Sequence, residues 1–144
     1  MKKIALLIVI VLLLYGYLDN NPDFIQSFAK QSTTDDSTLA SAYENRKSDI
    51  QVGGSGVVIR NLADDTSGSR HQKFILKLSS GQALLISHNI DLAARINSLR
   101  KGDTVNFYGE YEWNSKGGVV HWTHHDPRGK HVGGWLKHNG VTYQ

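Results

Sequence analysis

A mainly β domain, a small barrel of five strands with one helix between strands 3 and 4 and an extra C-terminal β-hairpin, is the fold class predicted for residues 37–144. Three observations predict it. Apolar residues alternate with polar ones in runs between residues 50 and 123, each run ended by turn residues. Residues 91–102 change instead to helical spacing, and Asn139-Gly140 is a strong two-residue hairpin signal. With 40% hydrophobic residues in a chain of 144, one core is expected.

The chain opens on Met1-Lys2-Lys3, followed by an unbroken apolar run over residues 4–14. Two lysines ahead of aliphatic residues match the charged and apolar parts of a secretory signal, so residues 1–18 are expected to be a signal peptide or membrane anchor in an apolar helix. The nearest small-x-small cleavage pattern, Ser27-Phe28-Ala29, lies about a dozen residues beyond the run. That distance favours an uncleaved anchor in the inner membrane with the domain facing the periplasm. Release to the periplasm after cleavage is the alternative. Residues 19–36 have linker composition, with Asn20-Asn21-Pro22 and Gln31-Ser32-Thr33-Thr34-Asp35-Asp36. Ser37 or Thr38 then caps a short helix in which Leu39, Ala42, Tyr43 and Arg46 recur at helical spacing.

Strands follow over residues 52–62, with glycines at 53, 54 and 56, over 72–78, and after a Ser79-Ser80-Gly81 turn over 82–87. Asp91 can cap a helix carrying Leu92, Ile96 and Leu99 on one face, stopped by Gly102. In the fourth strand Val105, Phe107, Tyr111 and Trp113 share a face opposite Asn106, Tyr108, Glu110 and Glu112, which buries one side. Residues 119–123 form the fifth. The order β-β-β-α-β-β resembles the OB-fold barrel, whose ligand surface is commonly the face of strands 2 and 3 with the 1–2 and 4–5 loops. Here Lys73 and Lys77 share a face of strand 2 and Arg70 precedes it, a modest basic strip for phosphates or acidic sugars.

Charge and cysteine content exclude several classes. From residue 19 to 49 six acids face three bases, whereas from residue 50 onward eleven bases face seven acids. The folded part is mildly basic, which favours an anionic polymer, glycan or nucleic acid, as partner without supplying a dense phosphate-binding patch. The absence of cysteine removes disulfides, thiolate metal sites, thiol nucleophiles and a lipid-modified cysteine.

Five of the seven histidines and two of the three tryptophans lie within residues 121–138. Imidazole ligates metals and moves protons near neutral pH, so this tail is the candidate site. Asp126-Pro127-Arg128-Gly129 has the residue preferences of a type I turn. If residues 126 and 129 pair, His124 lies opposite His131 and Trp122 opposite Gly133, and opposed β-carbons about 5 Å apart allow two imidazoles to share an ion. His124, His131, His125 and Asp126 are therefore the metal candidates, for a divalent transition metal such as zinc. Trp122 and Trp135, with Lys73, Lys77 and Arg70, are the ligand-binding candidates. The Asn139-Gly140 turn pairs His138 with Val141 and Leu136 with Tyr143.

The run His121-Trp122-Thr123-His124-His125-Asp126-Pro127, with His131, Gly134-Trp135-Leu136, His138, Gly140 and Tyr143, resembles a bacterial family known as a domain of unknown function. Gln72-Lys73-Phe74, His88-Asn89 and Gly109-Glu110-Tyr111-Glu112-Trp113 extend the resemblance over residues 50–144. It implies membership without an activity or catalytic residues. Asp126-Pro127-Arg128-Gly129-Lys130-His131 also resembles, with Pro127 and Lys130 interposed, the Asp-Arg-Gly-His pattern of a group of metal-dependent nucleases. That resemblance implies catalytic roles for His124, His131 and Arg128 in water activation, metal holding and charge compensation. It also implies a helix after His131, where Gly133-Gly134 and Asn139-Gly140 favour extended chain and turns. The reading that results is an extracytoplasmic OB-like binding module with a His/Trp-rich site; a metal-dependent hydrolase and a structural subunit of an envelope complex are the alternatives.

Overall fold

The computed structural model describes residues 2–20 and 36–144. The expected linker, apart from its ends, and the Ser27-Phe28-Ala29 pattern lie outside the described residues. Contacts divide the chain into two units, Met1–Thr34 and Asp35–Gln144. The first contains helix α1 (Lys2–Asp19), 18 residues long, or about 27 Å at 1.5 Å per residue. Its described apolar side chains, from Leu6 to Tyr17, are exposed. Among the described residues no helix is long and apolar enough to cross a membrane.

The second unit begins with helical residues 36–44, here α2. Leu39 and Ala42 enter the core, and the Ser79 hydroxyl donates to the Asp36 carboxylate. Asp36, Ser37 and Thr38 are all already helical, so the cap expected at Ser37 or Thr38 is not there. Arg46 leaves the helix with φ 52° and lays its guanidinium 5.4 Å from the Trp113 ring centroid.

Seven strands follow: β1 (Ile50–Asn61), β2 (His71–Lys77), β3 (Ala83–Asn89), β4 (Thr104–Glu112), β5 (Val119–His121), β6 (Trp135–His138) and β7 (Val141–Tyr143). The first five run in the order β1-β2-β3-β5-β4 and close through a β1–β4 pairing, with β3 and β5 parallel and the rest antiparallel. This is a closed five-stranded barrel, to which β6 and β7 add two further strands along β4. Alternate residues point inward: Phe74 and Leu76 from β2, Leu84 and Ile86 from β3, Val105, Phe107 and Tyr111 from β4 are all buried. Gly54 is required where β1 crosses β4, because a Cβ there would lie 2.7 Å from the Phe107 ring. The hairpin of β6 and β7 forms in the expected register, His138 against Val141 and Leu136 against Tyr143.

The helix expected between strands 3 and 4 does not form. Residues 90–103 are turns and irregular chain. Ala93, Ile96 and Leu99 are buried at a spacing of three, while Leu92 is 45% exposed. The segment's backbone groups find partners on the barrel rather than along a helix. The Gln72 amide takes the Ile96 N–H at 2.8 Å and donates to the Ile96 carbonyl at 2.9 Å. Asn61 donates to the Leu99 carbonyl at 3.0 Å, and the His88 ring meets the Ala94 carbonyl at 3.2 Å. Side chains that satisfy buried peptide groups remove the need for i→i+4 bonds. Asp91, the expected cap, instead holds Arg70 through its side chain at 2.6 Å and its backbone N–H at 2.8 Å.

Candidate functional site

One edge of β4 is shared. Its end nearest β5 pairs Glu110 with His121 and Glu112 with Val119, and its beginning pairs Asn106 with Lys137 and Tyr108 with Trp135 of β6. Residues 122–134 therefore leave and rejoin the same edge as an excursion that begins by burying Thr123 against His88. Trp122 starts it with φ 53°, which ends β5 two residues before the expected end at 123. At the base, the Gly134 N–H bonds the His124 carbonyl at 3.0 Å. A Cβ on Gly134 would lie 2.1 Å from the Trp122 carbonyl oxygen and 2.3 Å from that of Tyr108.

The turn predicted at Asp126 forms, with the Gly129 N–H on the Asp126 carbonyl at 3.0 Å. The Asp126 carboxylate organises it by accepting the N–H groups of Arg128, Lys130 and His131 at 2.8–3.0 Å. These bonds, the Arg128 amide foremost, hold its carboxyl below the usual range. The flanking chain does not become a ladder, and the expected register of His124 against His131 is replaced by the contact of His124 with Gly134. The carboxylate takes the N–H groups of Lys130 and His131 that the returning arm of a hairpin would present.

His131 instead turns to the barrel wall. Its Nε2 donates to Glu110 Oε2 at 2.6 Å and its Nδ1 to the Val132 carbonyl at 2.7 Å. Both partners are acceptors, an arrangement that favours the protonated ring. Burial opposes that charge, but the Glu110 and Val132 hydrogen bonds outweigh it and raise the pKa. Trp122 stacks on this ring with centroids 3.9 Å apart and planes 9° apart. One indole face is thus covered, and His124 flanks it at 5.4 Å.

The remaining oxygen of Glu110 faces His121. His121 Nε2 lies 3.4 Å from Glu110 Oε1 and 3.7 Å from Glu112 Oε1, without hydrogen-bond geometry to either. Among the described residues, Glu110, Glu112 and His121 form the one group of three potential ligands, with donor atoms all within 4.8 Å of one another. Gln51, across β1 from Glu110, also has a buried side-chain nitrogen without a partner.

The other candidates are dispersed. His124 is buried and its Nδ1 meets the His125 carbonyl at 2.7 Å; His125 is exposed. Arg128 stands exposed at the turn. Within the barrel, His88 sits between the Thr123 hydroxyl at 2.8 Å and the Ala94 carbonyl, and burial lowers its pKa to about 4. His138 is buried against Asp103 at 2.8 Å. Trp135 is half-buried on the outer face, stacked on Tyr108 with centroids 6.2 Å apart, and Lys137 Nζ is 5.5 Å from its ring centroid. Lys73 and Lys77 do share the outer face of β2, but β2 and β4 are not neighbours. Lys73 lies 3.9 Å from Asp65, and Arg70 is engaged by Asp91. The basic strip and the tail are therefore separate faces.

Glu110, Glu112 and Tyr108 are expected on one face of the fourth strand and His121 in the histidine-rich tail, but none of them is among the metal or ligand candidates of the sequence. The signal was present in the alternation of β4, which puts Tyr108, Glu110 and Glu112 on one outer face. What it lacked was the register that sets His121 across from Glu110.

The fold and these residues define a class, a single small closed β-barrel domain whose tail leaves and rejoins one edge of β4. The chain belongs to the family described as "Protein of unknown function (DUF3465)", whose model matches residues 23–144. The match begins at 23 rather than near 50, so it takes in most of the expected linker and α2 as well as the barrel. No curated protein matches the chain.

Proposed function

We propose that this domain is an exported binding module that takes an anionic glycan on the outer face of β4 and β6, beside the excursion. The observation that carries the reading is the half-exposed Trp135, stacked on Tyr108 on one side and with the ammonium of the exposed, flexible Lys137 over its ring at 5.5 Å, where an anionic sugar would meet both. An aromatic face suits the C–H surface of a sugar ring, and an ammonium beside it suits a carboxylate or sulfate substituent. Trp122, packed tightly on His131 at 3.9 Å with His124 at 5.4 Å, acts as a clamp for the excursion. The Lys2-Lys3 pair ahead of the apolar run supports delivery across the inner membrane, with the domain on the periplasmic side, tethered or released. The hydrolase roles for His124, His131 and Arg128 draw no support from the geometry, since His131 Nε2 is engaged by Glu110 and Arg128 stands at the turn tip.

Titration of the full-length protein with uronic-acid and sulfated oligosaccharides, in the presence of a chelator, tests the reading by tryptophan fluorescence and calorimetry. Trp135→Ala is expected to weaken binding roughly tenfold, equivalent to about 1.4 kcal/mol. Failure of every anionic oligosaccharide to bind, or unchanged affinity in the variant, would refute it.

A further inference from the structure

We infer that Glu110, Glu112 and His121 form a binding site for a divalent transition-metal ion, zinc in the first instance. It goes beyond the glycan-binding reading and does not depend on it. Glu110 and Glu112 are two residues apart on β4, so both carboxylates leave the same face, and His121 lies directly across from Glu110 on β5. Rigid, paired strands thus present all three donors. In a tetrahedral zinc site, with metal–ligand distances near 2.1 Å, two donor atoms are separated by about 3.4 Å. The observed separations from His121 Nε2, 3.4 Å and 3.7 Å, match that edge.

Two further observations point to an ion. His121 Nε2 is shielded from solvent and has no hydrogen-bond partner, on a side chain that is 34% exposed, although two carboxylate oxygens lie within 3.7 Å, an arrangement that a shared cation satisfies. Glu110 is also oriented from behind: its Oε2 accepts from His131, which Trp122 clamps, so that Oε1 is left facing His121. His131 is then a positioning residue, of the kind that fixes a carboxylate ligand around a metal. One imidazole with two carboxylates suits zinc or a neighbouring first-row ion better than calcium, which takes six to eight oxygens. Three protein ligands leave a fourth position for water or for a donor group of a bound molecule.

Chelator-treated full-length protein without an affinity tag, titrated with zinc alone against a chromophoric competitor, tests the site. One ion per chain is expected. His121→Ala and Glu112→Gln should each weaken binding at least tenfold, whereas His71→Ala, on β2, should leave it unchanged. Far-UV circular dichroism of the metal-free variants verifies folding. If His121→Ala does not fold, the isosteric Glu112→Gln carries the comparison. Crystals grown with zinc should show an anomalous peak between the three side chains. Absence of stoichiometric binding, equal affinity in the folded variants, or a peak at His124 or His125 would overturn the inference. Because this titration contains no glycan and the Trp135 assay contains chelator, either reading can fail alone.

Discussion

Acidification from pH 7 to pH 5 should destabilise the barrel through His88. The ring is fully buried, and its pKa falls from 6.5 to about 4, chiefly through loss of solvation. The unfolded chain therefore binds a proton in a range where the folded one does not, so the neutral ring's contribution is lost as pH drops below 6.5 towards 4. Linkage gives a loss of about 2 kcal/mol at pH 5 and about 3 kcal/mol once both states are protonated. Other groups act in other windows or in the opposite direction. Asp64, Asp91, Asp103 and Asp126 have lowered pKa values, held by bonds from the Arg95 side chain and from the Arg70, Arg100 and Arg128 amides. Their contribution is present above the ordinary carboxylate range and fades only as pH falls below it. His131 has a raised pKa, so its ion pair with Glu110 is fully effective below 6.5 and is lost as pH rises through the folded value. Urea unfolding of wild type and His88→Gln at the two pH values cancels these shared terms. The wild type should lose about 2 kcal/mol more than the variant. A difference below roughly 0.5 kcal/mol, or an NMR titration placing His88 above pH 6, would refute the argument.

Three substitutions probe the segments where the chain departs from regular structure. Gly134→Ala places a methyl group 2.1 Å from the Trp122 carbonyl and 2.3 Å from the Tyr108 carbonyl, both backbone. It should cost about 3 kcal/mol by urea unfolding and shift the NMR signals of the excursion, and a neutral effect would show that the base of the loop is loose. In the segment between β3 and β4, Leu92→Ala at an exposed position should change stability by less than about 0.5 kcal/mol. Ile96→Ala, at a fully buried one, should cost roughly 2–5 kcal/mol. Similar costs for both would restore the helical face that the spacing suggested.

The strands, their inward faces and the C-terminal hairpin were legible because each is set by local chemistry: alternation with a period of two, glycine-rich turns and Asn139-Gly140. The turn at Asp126 was legible for the same reason. Residues 91–102 were misread because Leu92, Ile96 and Leu99 satisfy a helical period, while the bonds that decide their conformation come from Gln72, Asn61 and His88, distant in the chain. The tail reverses at Asp126 as its residues suggest, but its arms do not pair as the hairpin that the turn implied. A type I turn implies a hairpin only if both arms stay extended and free to pair with each other, and here the Asp126 carboxylate takes the N–H groups of Lys130 and His131 while Trp122 leaves β5 at φ 53°.

A basic, apolar start, a β-rich domain and a concentration of imidazoles near the end can all be read from the order of residues. Which imidazole meets which carboxylate was decided by tertiary structure alone. Glu110 and His121 are neighbours because β4 and β5 pair in one register, and His131 reaches Glu110 because thirteen residues leave and return to a single strand edge. Local preference sets the direction in which a side chain leaves its strand; barrel closure sets what stands opposite it.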